Sequence, residues 1–577
     1  MNEKEQDSPK LPRELVEAYR ETIAARDAQI NDLRSRLVEL QTEHENLATE
    51  LAQMKGRALK ELPARAKELG SFWLRKKGPD CASRFLFRDD PVYGQLTLHE
   101  KLLPILSHPL FQRLNYVRQL SFAYLTFPCA SHTRMSHVLG AAKIAQEAIR
   151  KVVTRGMAYR RIRDDSNPTT VRVHSDLVPL NLTNEQVQRI ILKAQLCGLL
   201  HDIGHGPFGH ALDKLVPYFG GLPRSDPPDT LYSIRYIRDY LAAEIRRVGF
   251  EPDEIISILD KNRRFELTGW DVFIADLIAS PIDVDRMDYL ARDAHTTGLK
   301  MGFVNTEALL EHIYPIEDGS DYKVVFAPRA LCHMEHLAQA HHNMYIQCYE
   351  HPRKVAAERF LTRAVRQLLD AGLAKDALML LTDDQLLTLL SDYLPPETPG
   401  ASCLLGLREN LHFIEVASYH LSTWSDTEQK MVPVPELSDE LKGWYTQRGQ
   451  EKTFLRGVYV EAPNFWEEQI CQECAIKKED WWRVIVNVPA YEAKLSGEKG
   501  AFVVVEGDDG LFLRDFYDAS SILRNILHIL MPEREALRVF VTEDMVSEVG
   551  KLRRAANAIF KREQGSPATT PPAPCVA

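Results

Sequence analysis

The chain has 577 residues, which at about 150 residues per domain corresponds to three or four structural units. Hydrophobic residues make up 45% and charged residues 26% of the sequence, a globular balance that excludes wholesale disorder. The 71 basic and 81 acidic residues give a net charge of −10, which excludes a general attraction to nucleic acid or anionic lipid. A phosphate-bearing substrate therefore requires local cations or a metal.

The N-terminal segment, residues 1–62, is predicted to be a coiled-coil helix. Apolar residues recur at alternating spacings of three and four from Val16 to Met54, closer to a period of 3.5 than 3.6. Arg26 and His44 lie on this seam, where they weaken the pairing and help to fix its register. We expect the seam to pair protomers into a homo-oligomer. The alternative is one amphipathic helix packed on the body of its own chain.

Three features predict a cytoplasmic protein with no membrane partner. No run of 18 apolar residues occurs, so no membrane-spanning helix is predicted. The first ten residues, MNEKEQDSPK, lack the apolar core of a secretory signal. The nine cysteines are thinly spread and odd in number, which argues for a reducing compartment.

The rest of the chain is predicted to be mainly helical, followed by a smaller mixed segment. Residues 76–394 form the helical domain, within which the Thr183–Gln186 capping box opens a helix. Residues 403–562 form an α+β region, because TFLRGVYV, RVIVNV, RVFVT and AFVVVEGDDGLFLRDF are typical of β-strands. The last of these is predicted to be a hairpin that turns at Asp509-Gly510, and a helix is predicted over 522–530. Proline concentrates in the tail, residues 563–577, which is predicted to be disordered.

The chemistry is carried by four short motifs: SHTRMSHVLG (131–140), LLHDIGHGPFGHALD (199–213), SPIDVDRMDYLARD (280–293) and NMYIQCYEHPRKV (343–355). A helix that ends at His201-Asp202 projects an imidazole and a carboxylate into one cavity, and this ligand pair suits divalent metals. His137 and Asp285 lie in apolar helical sequence, where an unpaired charge is costly. Any one of these residues is more readily explained as a hydrogen-bonded core residue. Together, their density favours a metal-dependent active site.

These motifs resemble the HD-domain metal phosphohydrolases. The stretch from HPLFQRLNYVRQL through FPCASHTRMSHVLG and LLHDIGHGPFGHALD to IDVDRMDYLARD resembles the deoxynucleoside triphosphate triphosphohydrolases, and the resemblance covers about residues 95–360. The resemblance implies a mainly α fold with an HD-domain helical core. It also implies a divalent metal (Mg, Mn or Fe, with Zn as an alternative), whose ligands would be His137, His201, Asp202 and Asp285.

The same resemblance implies roles for the other residues of the motifs. His205 and His210 would place or transfer protons beside the α-phosphate, with Asp213 orienting a histidine. The remaining residues would bind the substrate: Arg134 the phosphates, Gln119 and Asp293 the sugar 3′-hydroxyl, Leu120 and Tyr349 the 2′ position, and Tyr289 the sugar face. From residue type alone, core packing explains Leu120 and Tyr289 better. The expected partners are a nucleotide substrate, an allosteric nucleotide and further copies of the chain.

Two departures from the family pattern leave more than one substrate class to be considered. The His-Glu pair expected about twenty residues after the HD motif is absent, and Asp229-Thr230 stands near that place. His341 replaces an expected arginine. The leading expectation is hydrolysis of a deoxynucleoside triphosphate to deoxynucleoside and tripolyphosphate. The alternatives are another nucleotide substrate, or a nucleotide-sensing scaffold with little turnover. Nucleic-acid binding is the weakest candidate, since basic runs such as residues 160–163 are usually solvated surface.

Overall fold

The computed structural model describes residues 61–74, 89–162, 171–218, 228–409, 411–425, 430–438, 461–487, 500–507, 510–522 and 536–561, with isolated positions before them. The chain separates into two units, Met1–Glu61 and Leu62–Ala577. The predicted coiled coil over 1–62 lies almost wholly outside the described residues, as do the strand predicted for TFLRGVYV and the tail over 563–577. The account below concerns the second unit.

Helices dominate this unit, which confirms the predicted mainly α class. A helical segment over residues 61–71 precedes them. The α-helices are α1 (Leu103–Leu106), α2 (Pro109–Gln112), α3 (Arg134–Arg155), α4 (Asn184–Leu200), α5 (Pro228–Asp239), α6 (Ala242–Val248), α7 (Pro252–Leu259), α8 (Trp270–Ile278), α9 (Val284–Thr297), α10 (Thr306–Glu311), α11 (Leu331–Met344), α12 (Pro352–Asp370), α13 (Lys375–Leu380), α14 (Asp383–Tyr393), α15 (Pro399–Arg408), α16 (Glu461–Glu473), α17 (Phe516–Ala519) and α18 (Val549–Phe560). Short 3₁₀ helices join many of them, and one π-helical turn spans Tyr345–Tyr349.

The strands form a barrel, a three-stranded sheet and a separate hairpin. They are β1 (Met157–Ile162), β2 (Val171–Val173), β3 (Val178–Pro179), β4 (Ile313–Asp318), β5 (Asp321–Phe326), β6 (Phe413–His420), β7 (Ser422–Ser425), β8 (Lys430–Pro433), β9 (Val484–Asn487), β10 (Phe502–Gly507), β11 (Gly510–Asp515) and β12 (Ala536–Thr542). Strand pairing closes six of them into a ring, in the order β2-β11-β10-β5-β4-β1 and back to β2. Its interior buries Tyr159, Val173, Ile316, Val325 and Val504.

This barrel corrects the predicted fold, in which strands occur only in the C-terminal segment. Four of the six barrel strands come from the part predicted to be mainly helical. The missed sequence signal is the Gly319-Ser320 pair, a two-residue hairpin loop between β4 and β5. The predicted β10–β11 hairpin is confirmed, except that Gly510 pairs with Gly507 as the first residue of β11 and is not part of the turn. The hairpin does not stand alone. Its two edges pair with β5 and β2, which leaves no open edge in the ring.

The C-terminal region contains a three-stranded sheet in the order β6-β12-β9. The strands predicted for RVIVNV and RVFVT are confirmed as β9 and β12. Helices α16 and α18 pack on this sheet, and Trp466, Ile470, Leu552 and Phe560 fill the space beneath them. The helix predicted over 522–530 falls almost entirely outside the described residues.

Three helices, α3, α4 and α9, form the frame that holds the predicted site. Helix α4 opens with the predicted capping box, in which Thr183 and Gln186 cap each other's backbone. Two glycines allow the helices to approach closely. A Cβ on Gly198 would lie 2.8 Å from the Ala142 Cα of α3, and a Cβ on Gly140 would lie 1.8 Å from the Asp288 Oδ1 of α9. Among the described residues, no helix has both the length and the apolarity needed to cross a bilayer.

Candidate metal centre and substrate pocket

Four donor groups meet where α3, α4 and α9 converge. His137 lies on α3, His201 caps the end of α4, Asp202 follows it, and Asp285 lies in the first turn of α9. His137 Nε2 is 3.0 Å from Asp285 Oδ1, 3.5 Å from Asp202 Oδ2 and 3.3 Å from His201 Nε2. His201 Nε2 is 3.5 Å from Asp202 Oδ1 and 3.6 Å from Asp285 Oδ1. Ligands held about 2.1 Å from one ion lie about 3.0–3.4 Å apart, so these donors are compatible with a divalent metal.

The second ring nitrogen of His137 is fixed by a buried carboxylate. His137 Nδ1 is 2.8 Å from Asp288 Oδ2, which leaves Nε2 directed at the donor cluster. Asp288 in turn accepts two hydrogen bonds from Arg292, whose guanidinium also donates to Asp90 at 2.7 Å. Asp288 was not among the residues predicted from the sequence. Its signal is its position three residues after Asp285, on the same face of α9.

The cluster carries excess negative charge that shifts the pKa values of its histidines. Burial lowers the pKa of His137, but hydrogen bonds with Asp285 and Asp288 outweigh burial and raise this pKa to about 10. Burial also raises the pKa of Asp285, yet hydrogen bonds from His137 and His201 outweigh it and lower that pKa. Without a metal, protons on the imidazoles balance the carboxylates. A divalent cation held by these residues would replace those protons.

His205 lies beside this cluster and faces two carboxylates. Its Nε2 is 3.3 Å from Asp202 Oδ1 and 3.4 Å from Asp229 Oδ2. Burial lowers the pKa of His205, and the charge of Arg134 lowers it further. The ring is therefore neutral near pH 7, and one of its nitrogens is able to accept a proton.

His210 and Asp213 are the other two residues predicted to handle protons. The structure describes the side chain of His210 but only the backbone of Asp213. His210 is exposed, and its ring contacts that of His205 edge to face with centroids 4.7 Å apart. The backbone of Asp213 belongs to the 3₁₀ helix Gly209–Tyr218, but its side chain lies outside the described structure. Its orienting role stays a prediction.

Arg134 begins α3 and points its guanidinium at the donor cluster. Its Nη1 donates to Asp202 Oδ2, and the side chain is buried. Gly209, with φ of 52°, passes close to it, and a Cβ there would lie 2.7 Å from Arg134 Nη2. Only a glycine leaves room for this arginine. Its charge lies beside the candidate metal ligand Asp202.

Three predicted substrate residues, Asp293, Tyr289 and Tyr349, come together near His137. Asp293 accepts a hydrogen bond from the Tyr349 hydroxyl at 2.8 Å and lies 2.8 Å from His132 Nε2. The Tyr289 ring lies with its centroid 6.2 Å from that of Tyr349 and 6.5 Å from that of His137. The sequence analysis missed His132, although it begins the HTRMSH segment that carries His137.

The two remaining predicted substrate residues lie next to each other near His132. Gln119 N donates to the His132 carbonyl at 3.0 Å. Gln119 Oε1 is buried and has no hydrogen-bond partner within the described part of the chain, so it is free to accept one from a ligand. Leu120 is buried with 6% exposure, which also fits the core-packing alternative.

The loop that carries His205 is anchored from outside the motifs. Arg113 is fully buried, and its guanidinium donates to the carbonyls of Ile203, His205, Met379 and Leu381. This one guanidinium thus ties the HD loop to the last turn of α13 and to Leu381, which follows it. The anchoring role of Arg113 was not predicted, because it depends on tertiary contacts that the pattern of a single sequence does not reveal.

A second anchor is a carboxylate at the start of α14. Asp383 accepts hydrogen bonds from Phe208 N at 2.7 Å and Arg118 N at 3.0 Å. Phe208 has φ of 56°, so this contact holds a residue in the left-handed region. Burial raises the pKa of Asp383 to about 6.

The two residues that depart from the family pattern, Asp229 and His341, both lie near the candidate site. Asp229 faces His205, as described above. His341 is buried near Tyr289, with ring centroids 6.4 Å apart. Lys354, in the motif that contains Tyr349, is paired with Glu358 at 2.7 Å.

Comparisons with known proteins agree with these motifs. No family model matches the chain. It is 31% identical over 291 residues to the uncharacterized protein YwfO of Bacillus subtilis, covering 49% of this chain and 56% of that protein. It is 25% identical over 308 residues to deoxynucleoside triphosphate triphosphohydrolase SAMHD1 of Gallus gallus, covering 48% and 45%. The chain thus resembles the HD-type phosphohydrolases and their dNTPases, and it spans about half the length of the curated relatives it matches.

Solved structures share the fold. A hypothetical protein from Aquifex aeolicus superposes with a TM-score of 0.53 at 20% identity, covering 81% of this chain and 98% of that one. A phosphohydrolase from Bacteroides thetaiotaomicron superposes with a TM-score of 0.50 at 20% identity, covering 80% and 100%. At this identity the likeness extends to architecture alone.

Proposed function

We propose that this protein is a metal-dependent phosphohydrolase that converts deoxynucleoside triphosphates to deoxynucleoside and tripolyphosphate. The observation that carries the proposal is the convergence of His137, His201, Asp202 and Asp285 close to the rings of Tyr289 and Tyr349. A divalent ion held by those four residues supplies Lewis acidity to a phosphate ester. The resemblance to SAMHD1 supports the same substrate class.

The chain's own residues then divide the remaining work. Arg134 orients the phosphates with its guanidinium, which already lies against Asp202. His205 is neutral and buried, so it is suited to take or hold a proton at a phosphate oxygen. His210, exposed beside it, is suited to exchange that proton with solvent, and Asp213 is proposed to orient a histidine.

Recognition of the sugar is proposed to rest on a second set of residues. Asp293 retains free lone pairs on both oxygens after contacting His132 and Tyr349, so it can accept from a 3′-hydroxyl. The unpartnered Gln119 Oε1 is a second acceptor for the same group. Leu120 and Tyr349 would crowd a 2′-hydroxyl and so favour deoxyribose.

A second candidate is a phosphohydrolase that acts on another nucleotide at the same centre. Its support is that Asp229 and His341 stand where the family pattern has other groups acting on the triphosphate. A nucleotide-sensing scaffold with little turnover is the third candidate. The full set of four metal donors counts against it, because buried ligands without a metal are destabilising.

One experiment separates the three. The purified full chain is incubated with Mn²⁺, Mg²⁺ or Fe²⁺ and each dNTP, NTP and cyclic nucleotide, and the products are separated by chromatography. We expect deoxynucleoside and tripolyphosphate, with dATP preferred over ATP by at least about tenfold.

The matched variants are His201→Ala and His336→Ala. His336 is exposed on α11, outside the motifs, so its loss should leave turnover intact, whereas His201→Ala should abolish turnover and bound metal together. Equal rates on ATP and dATP, or different products, would favour the second candidate. No turnover of any nucleotide by metal-loaded protein would favour the scaffold.

A further inference from the structure

One buried carboxylate contacts two separate segments that carry predicted substrate and proton-handling residues. Asp383 is the first residue of α14 and is 2% exposed. Its Oδ1 accepts a hydrogen bond at 2.7 Å from Phe208 N, in the loop that carries His205. Its Oδ2 accepts a hydrogen bond at 3.0 Å from Arg118 N, in the residue before Gln119. The two oxygens thus hold both segments to one common point.

Each of these two segments contains a residue in the left-handed region of backbone conformation. Phe208 has φ of 56° and Ser121 has φ of 51°. A residue with a Cβ pays free energy for this conformation, which persists only where surrounding contacts impose it and which is concentrated at active sites. Among the described residues other than glycine, only Ala475, just after α16, also has such a φ. Two of these three strained residues therefore lie in the segments that Asp383 holds.

The two segments also pack on each other through a pair of aromatic rings. Phe122 and Phe208 stack with centroids 4.6 Å apart and ring planes 12° apart, and both side chains are buried. Gln119, three residues before Phe122, donates its backbone N–H to the His132 carbonyl at 3.0 Å. One carboxylate and one ring stack therefore fix the position of Gln119 relative to His205.

We propose that Asp383 is a positioning residue that sets the sugar-binding residues Gln119 and Leu120 at a fixed distance from His205. The proposal rests on the proposed function, in which the first two residues contact the sugar and His205 handles a proton at a phosphate oxygen. Both segments present a backbone N–H, so both oxygens of Asp383 must accept. An ionised carboxylate meets this requirement, whereas an amide offers one acceptor and one donor.

Loss of one acceptor should change sugar selectivity as well as rate. The amide of Asp383→Asn presents its NH₂ to one of the two backbone N–H groups, so one segment is released. Because Phe208 stacks on Phe122, release of either segment also disturbs the other. The discrimination against a 2′-hydroxyl should then relax. An unfolded fraction, in contrast, lowers the rates on dATP and ATP by the same factor, so the ratio of the two rates separates a positioning role from a purely structural one.

The test compares steady-state rates on dATP and ATP for the full chain loaded with Mn²⁺. The rates are measured at about pH 8, where the Asp383 carboxyl, with its pKa of about 6, is ionised. Asp383→Asn should reduce the preference for dATP by at least about threefold, and Asp383→Ala, which removes both acceptors, by more. Asp384→Asn is the matched control, because Asp384 is the next residue and is exposed. Circular dichroism measures the folded fraction of each variant.

Failure of the proposed function gives a different pattern. Calorimetric binding of the slowly hydrolysed α-thio analogues of dATP and ATP repeats the comparison without turnover. A wild type that hydrolyses neither nucleotide, but whose preference for the deoxy analogue is lost in Asp383→Asn, would retain the positioning role and lose the proposed activity. An unchanged preference in both Asp383 variants, in rates or in binding, would overturn the positioning role. A wild type with no preference in either assay would overturn both.

Discussion

At the residue scale, the Asp383 carboxyl is buried, and burial disfavours its charged form. Burial raises the pKa of this carboxyl to about 6, compared with about 3.9 in an unfolded chain. The folded state therefore binds the proton more tightly. The resulting stabilisation is complete below about pH 4 and is lost as the pH rises to about 6.

We therefore predict that Asp383→Asn changes the pH dependence of stability. Between pH 4 and pH 7, the free energy of unfolding of the wild type should fall relative to that of the variant by about 3 kcal/mol, the equivalent of about two pKa units. Urea unfolding at several pH values measures this difference. Asp392→Asn, an exposed carboxylate on the same helix, is the control and should follow the wild type. Parallel pH profiles for wild type and Asp383→Asn would contradict the prediction.

At the residue scale, the sequence identified groups whose chemistry is local and missed groups whose role depends on tertiary contacts. The density of histidine and aspartate in the motifs favoured a metal site, and the family resemblance implied the set His137, His201, Asp202 and Asp285, whose donor atoms do converge. Asp288 was missed, although it orients His137, because a carboxylate next to a helical arginine is also typical of solvated surface. The assignment of His137, His201, Asp202 and Asp285 as metal ligands stays a prediction.

At the element scale, the close contact between α3 and α9 depends on a glycine, Gly140, which has no side chain to separate the helices. Gly140 faces the ion pair between Asp288 and Arg292, and an added Cβ would lie 1.8 Å from Asp288 Oδ1 and 2.4 Å from Arg292 Nη2. Both of those side chains are buried, so neither has space to move away. The glycine therefore links helix packing directly to the orientation of His137.

Gly140→Ala should consequently damage both stability and the metal centre. Overpacking of this kind costs about 1–3 kcal/mol, and displacement of Asp288 should also lower metal retention. Chemical unfolding and elemental analysis of dialysed protein measure the two effects. Gly550→Ala on α18 is the control: only Arg554 lies near its added Cβ, at 3.9 Å, so it should be neutral or slightly stabilising. Full metal content and stability in Gly140→Ala would show that the helices can separate without cost.

The elements also differ in how well their sequence predicts them. The capping box of α4 and the β10–β11 hairpin are specified by adjacent residues, and both were predicted correctly. The barrel was not predicted, because its closure depends on the pairing of β11 with β2, whose sequence partners are more than 300 residues apart. Strands of three to six residues contain too little pattern to indicate that pairing.

At the scale of the whole molecule, the sequence predicts the fold better than it predicts the function or the assembly. The helical class followed from periodicity and from motif resemblance over about half of the chain. The number of subunits does not follow from either, because the residues that would decide it lie in the N-terminal unit, Met1–Glu61. Assembly therefore remains a prediction from the heptad pattern of that unit.

The apolar seam from Val16 to Met54 covers nearly six heptads, long enough to associate without help from the rest of the chain. Residues 62–577 form a separate unit with its own internal contacts, so deletion of residues 1–60 should leave that unit and its metal content unchanged. We predict that the deletion lowers the oligomer mass measured by light scattering. Activity should survive if residues 62–577 assemble by themselves, and fall if the coiled coil sets the arrangement of subunits. An unchanged mass would mean that the N-terminal helix packs on its own chain, which would refute self-association and leave the proposals about the catalytic site standing.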